Sequence, residues 1–273
     1  MIAHLAELTS PETAEAVARS RLAVLPLGSI EQHGPHLPNG TDTMAAELIA
    51  ADVAERLDAL YVPFGPYGVT PIHAGHPGTV TLRRETFEAL LTDICTELIG
   101  MGVRTFVLLN WHEGNIASMN AVATDLQDRH DCTFVAAQAC YVAQRLYRDE
   151  GGELTHGGGI ETLAMLACNP ALVKVDRAGE PSRPAGAEAM DRMRRSSEVY
   201  GFITDVSELA DAGWYGDPSW ATPERAAEFT RTVSDAVLAS LDEVMRARDT
   251  RRHEFASGEA RAGASAEPRP ETP

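Results

Sequence analysis

Residues 25–42, LPLGSIEQHGPHLPNGTD, hold the densest set of side chains that can do chemistry. An apolar run, Leu22 to Leu27, opens this region and is typical of a buried strand. Glu31 and His33 are two residues apart, so both can point to the same side where that strand ends. Asp42 follows a Gly- and Pro-rich loop and lies where the next helix begins. A carboxylate, an imidazole and a second carboxylate on one converging loop are suited to a divalent metal ion.

Two later motifs also carry histidine and glutamate. NWHEGN at 110–115 follows the most hydrophobic predicted strand, Val103 to Leu109. HGGGIET at 156–162 leads into an apolar helix, and its three glycines allow the backbone to approach a bound ligand closely. We therefore treat both motifs as candidates for the same site.

Several further aromatic and histidine side chains have two interpretations each. His73 and His76 lie in a Gly/Pro-rich loop, where they either line the mouth of a substrate pocket or make loop hydrogen bonds. Trp111 can form a pocket wall that contacts substrate, although an aromatic residue near a turn more often packs. His36 is constrained by two neighbouring prolines, so we expect it to support the site and not to bind a metal.

Alternating strands and helices position these motifs. The apolar patterns predict helices over about 42–57, 84–101 and 116–129, between short strands at Leu22–Leu27, Leu60–Pro63, Thr79–Leu82, Val103–Leu109 and Thr133–Ala137. This alternation favours an α/β fold with a mostly parallel sheet and helices on both faces. Sites in such sheets form beyond the carboxyl ends of the strands, where two of the motifs lie. Thr222-Pro223-Glu224 predicts the start of a last helix that runs to about Arg248.

Composition excludes some partners. The 273-residue chain has a formal net charge of −17 at pH 7, which argues against binding to nucleic acid or to an anionic membrane. Neither a signal-like start nor an apolar run of about 18 residues is present, so we expect a cytoplasmic protein. We expect residues 1–248 to form one domain and the Arg-, Glu-, Ala- and Pro-rich residues 249–273 to be a disordered tail.

The motifs together resemble the creatininase family, which comprises metal-dependent amidohydrolases related to creatinine amidohydrolase. The resemblance covers Leu22 to Ser240 and is carried by LPLGSIEQHGPHLPNGTD, PGTVTL at 77–82, NWHEGN, HGGGIET and GDPSWAT at 216–222. It implies a three-layer α/β/α sandwich, two divalent metal ions per subunit and a homo-oligomer, often a hexamer.

Matching the motifs residue by residue implies five metal ligands: Glu31, His33, Asp42, His112 and Glu161, with Asp42 bridging the two ions. His156 resembles the acid/base histidine that faces the substrate; the alternative is a histidine that only orients Glu161. Mixed oxygen and nitrogen ligands fit Zn²⁺ or Mn²⁺, and also Fe²⁺. A water that bridges two such ions becomes hydroxide near neutral pH, and we expect this hydroxide to attack an amide carbon.

Two positions depart from the creatinine-cleaving members of the family. Gly114 stands where those enzymes have a glutamate, and Gly152 stands where they have a mobile tryptophan. Glu113 is one position early and is expected to face away from the metals. Creatinine itself is therefore disfavoured, and we expect hydrolysis of a cyclic amide or formamide-type C–N bond in a small molecule. The alternatives are a peptidase or deformylase in cofactor biosynthesis, a metal-dependent lyase or isomerase, and a non-catalytic metal-binding scaffold.

Overall fold

The computed structural model describes residues 2–151, 155–196 and 198–257. Within the described residues, the chain up to Val237 forms one compact unit, and residues 238–257 form a second, which is helical. No helix among the described residues is long and apolar enough to cross a membrane. The functional motifs all belong to the first unit.

Five parallel strands form a single sheet in the order β1-β3-β2-β4-β5. Their bounds are Ala3–His4 for β1, Leu22–Leu27 for β2, Leu60–Tyr61 for β3, Thr105–Asn110 for β4 and Thr133–Gln138 for β5. The chain leaves β2 toward β3 on one side and leaves β4 toward β5 on the other, so β2 and β4 flank a topological switch point. Leu27 lies opposite Asn110 in the register. The two strands that precede the first two motifs therefore end side by side.

The described part of the chain contains eight α-helices. They are Ser10–Ser20 (α1), Thr41–Arg56 (α2), Arg84–Met101 (α3), Ile116–Arg129 (α4), Ala139–Gly151 (α5), Gly159–Cys168 (α6), Ala187–Ser196 (α7) and Pro223–Ser257 (α8). Apolar residues of α1, α3 and α4 share one core with Leu25 and Leu108 of the central strands. Because side chains alternate along a strand, the intervening Val24 and Val107 face the other side, where α2 packs on β2 and α6 packs on α2. The predicted α/β/α fold with a parallel sheet is confirmed.

Three local predictions differ from the structure. The predicted strand Thr79–Leu82 is wrong, because only Val80 pairs there, in one antiparallel bridge with Ile30. Helix α7 and the two-residue strand β1 were not predicted. Helix α8 continues to Ser257, past the predicted start of the tail at residue 249, while residues 258–273 lie outside the described residues. The domain boundary at residue 248 stays a prediction.

Candidate metal centre

The loop after β2 closes on itself and brings its acidic and histidine side chains to the start of α2. The amide of Glu31 donates to the carbonyl of Asn39 at 2.9 Å. Thr41 Oγ1 donates to the carbonyl of Pro38 at 2.7 Å. Asp42 therefore lies in the first turn of α2, where the helix dipole favours a negative charge.

Asp42 lies between two histidines that come from different strand ends. Its Oδ1 is 3.3 Å from His33 Nε2, and its Oδ2 is 3.0 Å from His112 Nδ1. Ser29 Oγ also donates to Oδ2 at 2.8 Å, which fixes the carboxylate. Each carboxylate oxygen thus faces a different histidine.

Two further carboxylates complete the cluster. Glu31 Oε2 is 3.4 Å from His112 Nδ1, and Glu161 Oε1 is 3.7 Å from His33 Nε2. Potential ligand atoms form three groups, and within each group all atoms lie within 4.8 Å of one another. The groups are Glu31 with Asp42 and His112, His33 with Asp42 and Glu161, and Glu31 with His33 and His156. The first two groups contain all five predicted ligands and share Asp42. The structure therefore brings together every residue of the predicted ligand set.

The main chain orients both histidine rings toward the cluster. His33 Nδ1 lies 3.0 Å from the carbonyl of Glu31, and His112 Nε2 lies 3.0 Å from the carbonyl of Val69. A carbonyl only accepts, so these ring nitrogens carry hydrogens, and the other ring nitrogens face the cluster, where each offers a lone pair to a cation once its own proton is released. His33 Nε2 and Glu31 Oε2 are fully buried and have no hydrogen-bond partner among the described residues. Such orphaned acceptors fit a bound cation.

The electrostatics also fit a cation. Burial raises the pKa of Glu31 to about 7. Burial opposes protonation of His112, but the nearby carboxylates of Glu31 and Asp42 outweigh it and raise its pKa to about 9. Burial likewise disfavours the charged form of Asp42, yet the two histidines hold the pKa of this carboxyl well below its usual range. The carboxylates thus need positive charge nearby, and a divalent ion supplies it while releasing the protons.

Three neighbouring histidine rings, tilted relative to one another, border the cluster. His156 lies between His33 and His73, with ring centroids 4.4 and 4.1 Å away. Its Nε2 donates to the carbonyl of Gln32 at 2.6 Å, so its Nδ1, 3.6 Å from Glu31 Oε1, is an acceptor. These contacts place His156 against Glu31 and not against Glu161, whose Oε2 instead accepts the amide of Gly157 at 2.5 Å. Burial and the neighbouring histidines lower the pKa of His156 well below its ordinary value.

The other predicted side chains divide into two groups. His73 and Trp111 line a cavity of about 50 Å³ together with the cluster. His76 does not line it; its Nε2 is 3.8 Å from Asp205 Oδ1, and it borders a separate surface pocket. His36 donates to the carbonyl of Gly157 at 2.7 Å and does not reach the cluster.

The sequence prediction missed a second set of residues that line this cavity. Arg194 and Arg195 of α7 line it with Tyr215, and Glu113 faces the same space. None of these residues belongs to a metal-binding pattern, and the partners are far apart in sequence. We expected Glu113 to face away from the metals. It belongs to none of the described groups of ligand atoms, but it does line the same cavity. A glutamate at position 114 could not take over the place of Glu113, because a Cβ at Gly114 would collide with the carbonyl oxygen of Val69.

Comparison with known proteins extends these observations. A family model described as "Creatininase: Creatinine amidohydrolase" matches residues 6–241. The chain is 33% identical over 232 residues to the mycofactocin precursor peptide peptidase of Mycolicibacterium smegmatis, covering 82% of this chain and 85% of that protein. It is 32% identical over 191 residues to creatinine amidohydrolase of Pseudomonas putida, covering 63% and 74%. The solved structure "Creatininase Mn" matches with a TM-score of 0.71 and 25% identity, over 89% of this chain and 98% of that chain.

Proposed function

The chain belongs to the creatininase family, and we propose that it is a dinuclear metal-dependent hydrolase of amide C–N bonds. The observation that carries the proposal is the position of Asp42, whose two oxygens face two separate sets of ligand atoms. A single bound ion leaves one of these sets without a cation, although its members are buried. Two ions use both sets.

The proposed ligands divide equally between the two ions. Glu31 and His112 would hold one ion, His33 and Glu161 would hold the other, and Asp42 would offer one oxygen to each. Two divalent ions carry four positive charges against three carboxylates, so the loaded site keeps one positive charge before water or substrate enters. The mixed oxygen and nitrogen donors support Zn²⁺ or Mn²⁺, with Fe²⁺ also suitable. The manganese in the name of one similar structure supports the same choice.

His156 is the proposed acid/base residue. When bound, the cations supply a polarised carbonyl group and a water of lowered pKa. The hydrogen bond from His156 Nε2 to Gln32 leaves Nδ1 as an acceptor on the cluster side. This nitrogen can accept a proton from the attacking water and then donate it to the leaving nitrogen of the amide. The ring of His73 packs against that of His156 at a tilt and limits its movement.

Two substrate classes fit this chemistry. The first is a small cyclic amide or formamide, for which the departures at Gly114 and Gly152 disfavour creatinine itself. The second is a peptide amide, and the larger share of this chain matched by the peptide peptidase than by creatinine amidohydrolase supports it. The predicted homo-oligomer and cytoplasmic location stay predictions.

One experiment tests the reaction class. Metal content is measured on the isolated protein, and the metal-loaded protein is then incubated in ¹⁸O-water with creatinine, formamide-type compounds and peptides. Hydrolysis requires two ions per chain and one labelled oxygen in the acyl product. Product formation without label indicates lyase or isomerase chemistry, and metal binding without any product supports a scaffold.

A further inference from the structure

Four charged residues form a half-buried group beside the metal cluster, and three of them, Glu113, Arg194 and Arg195, line the same cavity as the cluster. Arg194 Nη1 is 3.1 Å from Glu113 Oε2, and Arg195 Nε is 3.0 Å from Glu113 Oε1. Asp191 pairs with the same two arginines: its Oδ1 is 3.0 Å from Arg194 Nη2, and its Oδ2 is 3.4 Å from Arg195 Nη1. We call Glu113, Asp191, Arg194 and Arg195 the arginine cluster. Its formal charges sum to zero.

The two carboxylates of the arginine cluster each accept hydrogen bonds from several donors, whereas the arginines carry more N–H donors than the carboxylates can accept. Tyr141 donates its hydroxyl to Glu113 at 2.8 Å, and Tyr215 donates to Asp191 at 2.9 Å. The two carboxylates therefore accept hydrogen bonds from tyrosines as well as from the arginines. Arg194 has five N–H groups, and its Nε is fully buried without a hydrogen-bond partner among the described residues. The Arg194 side chain as a whole is about one-fifth exposed (21%) and lines the cavity, so acceptor oxygens of a ligand can reach part of its guanidinium group.

We propose that the arginine cluster is a binding site for a carboxylate of the substrate, close to the scissile amide. Guanidinium groups bind carboxylates through two parallel N–H···O bonds, which fixes orientation as well as adding affinity. Both arginines line the same cavity as Glu31 and His112, so a group bound there lies next to the reaction site. This inference rests on the proposed function and names its substrate class: an amide that carries a free carboxylate, such as the end of a peptide.

The size of the cavity favours the end of a chain. About 50 Å³ accommodates a few water molecules or a terminal carboxylate, but not a whole peptide. The remainder of a larger substrate must lie outside. A small cavity lined by charged residues is therefore suited to binding one terminus of a substrate.

The competing explanation is that the arginines only brace Glu113 beside His112. Calorimetry with N-acetylglycylglycine and its C-terminal amide separates the two explanations, because the ligands differ only in the carboxylate. We expect the acid to bind at least about tenfold more tightly than the amide. Arg194→Gln should lower the affinity for the acid by roughly ten- to a hundredfold, as expected for the loss of charged hydrogen bonds, and leave the affinity for the amide unchanged.

A second variant gives a result of opposite sign and does not depend on the folding of the first. Glu113→Gln removes a competing negative charge but keeps the shape, so the acid should bind several-fold more tightly. Arg192→Gln, an exposed change on the same helix, is the control and should alter neither affinity. Equal binding of acid and amide, no measurable binding of the acid, or parallel losses in Arg194→Gln would overturn the proposal. Weaker acid binding in Glu113→Gln would overturn it as well.

The same measurements are made on metal-free protein, since the metal ions could themselves bind a carboxylate. Preference for the acid must persist without metal; a preference seen only in the loaded protein assigns the carboxylate to the ions and overturns the proposal. Failure of the proposed function has a different signature, namely absence of ¹⁸O incorporation from every amide while acid binding persists.

Discussion

Replacement of Asp42 by asparagine is the strongest test of a shared ligand. The substitution keeps the size of the side chain but removes one of three negative charges and turns one acceptor into a donor. One of the two histidines, His33 or His112, then faces an amide NH₂ group in place of a carboxylate oxygen. The change is therefore felt on both sides of the cluster.

The expected magnitude follows from distance and burial. At 3.0–3.3 Å, a unit charge attracts another by roughly 5 kcal/mol with an effective dielectric constant of about 20. Asp42 is almost fully buried, so solvent does not replace the lost charge. Mutation of residues that only orient metal ligands already lowers metal affinity by about 10- to 100-fold, and mutation of a ligand shared by two ions should lower it further. We expect fewer than two ions per chain and a loss of turnover of roughly 10²- to 10⁴-fold.

Metal content by mass spectrometry, titration with Zn²⁺ and Mn²⁺, and the hydrolysis rate measure these effects. Asp52→Asn is the matched control, because it makes the same substitution on the same helix at a partly exposed residue that pairs only with Arg56 in the described contacts. It should retain both ions and full activity. Two tightly bound ions in Asp42→Asn would refute the bridging role, and full turnover with one ion would refute the need for two.

Three further predictions follow from the same geometry. His156→Ala should keep both ions but lower turnover by about 10²- to 10⁴-fold; loss of metal would instead make His156 a ligand, as its group with Glu31 and His33 permits. Removal of metal by a chelator should lower the melting temperature by about 5–10 °C, because a ligand at a hundred times its Kd stabilises by about 2.7 kcal/mol; an unchanged melting curve would argue against structural occupancy. Gly114→Glu, which introduces the glutamate of creatinine-cleaving enzymes, should destabilise the fold by about 3 kcal/mol or more in urea unfolding through its clash with Val69. A stable, creatinine-cleaving variant would contradict that expectation.

The parts of the fold that were predicted correctly depend on local patterns. Apolar runs separated by helical periodicity identify β2 and β4, and the parallel arrangement then places their carboxyl ends together. The family prediction from five ordered motifs is confirmed by the match over residues 6–241. Thr79–Leu82 shows the limit of this approach, because its alternation suits a strand but Thr81 is used elsewhere. Its hydroxyl accepts the amide of Thr70 at 2.8 Å in a loop contact.

The candidate site was predictable only in part, for a related reason. Asp42 and Glu161 each lie in the first turn of a helix that follows a Gly-rich loop, which is a signal visible in sequence. The pair Glu113 and Arg194 is separated by 81 residues, and no spacing rule connects them. Likewise, His76 shares a loop with His73, yet only the fold shows that it borders a different pocket.

Apart from the peptide bond that joins His112 to Glu113, the metal cluster and the arginine cluster are anchored independently, with one exception. The described hydrogen bonds that orient His33 and His112 come from the carbonyls of Glu31 and Val69, and none comes from α7. The exception is Tyr215, whose amide donates to the carbonyl of His156 at 2.7 Å while its hydroxyl donates to Asp191. A carboxylate that draws the arginines away from Asp191 therefore changes the surroundings of Tyr215, and through it the backbone of His156. Occupancy of the arginine cluster should consequently affect proton transfer more than metal affinity, which makes this cluster the natural place for substrate choice to change without loss of the metal ligands.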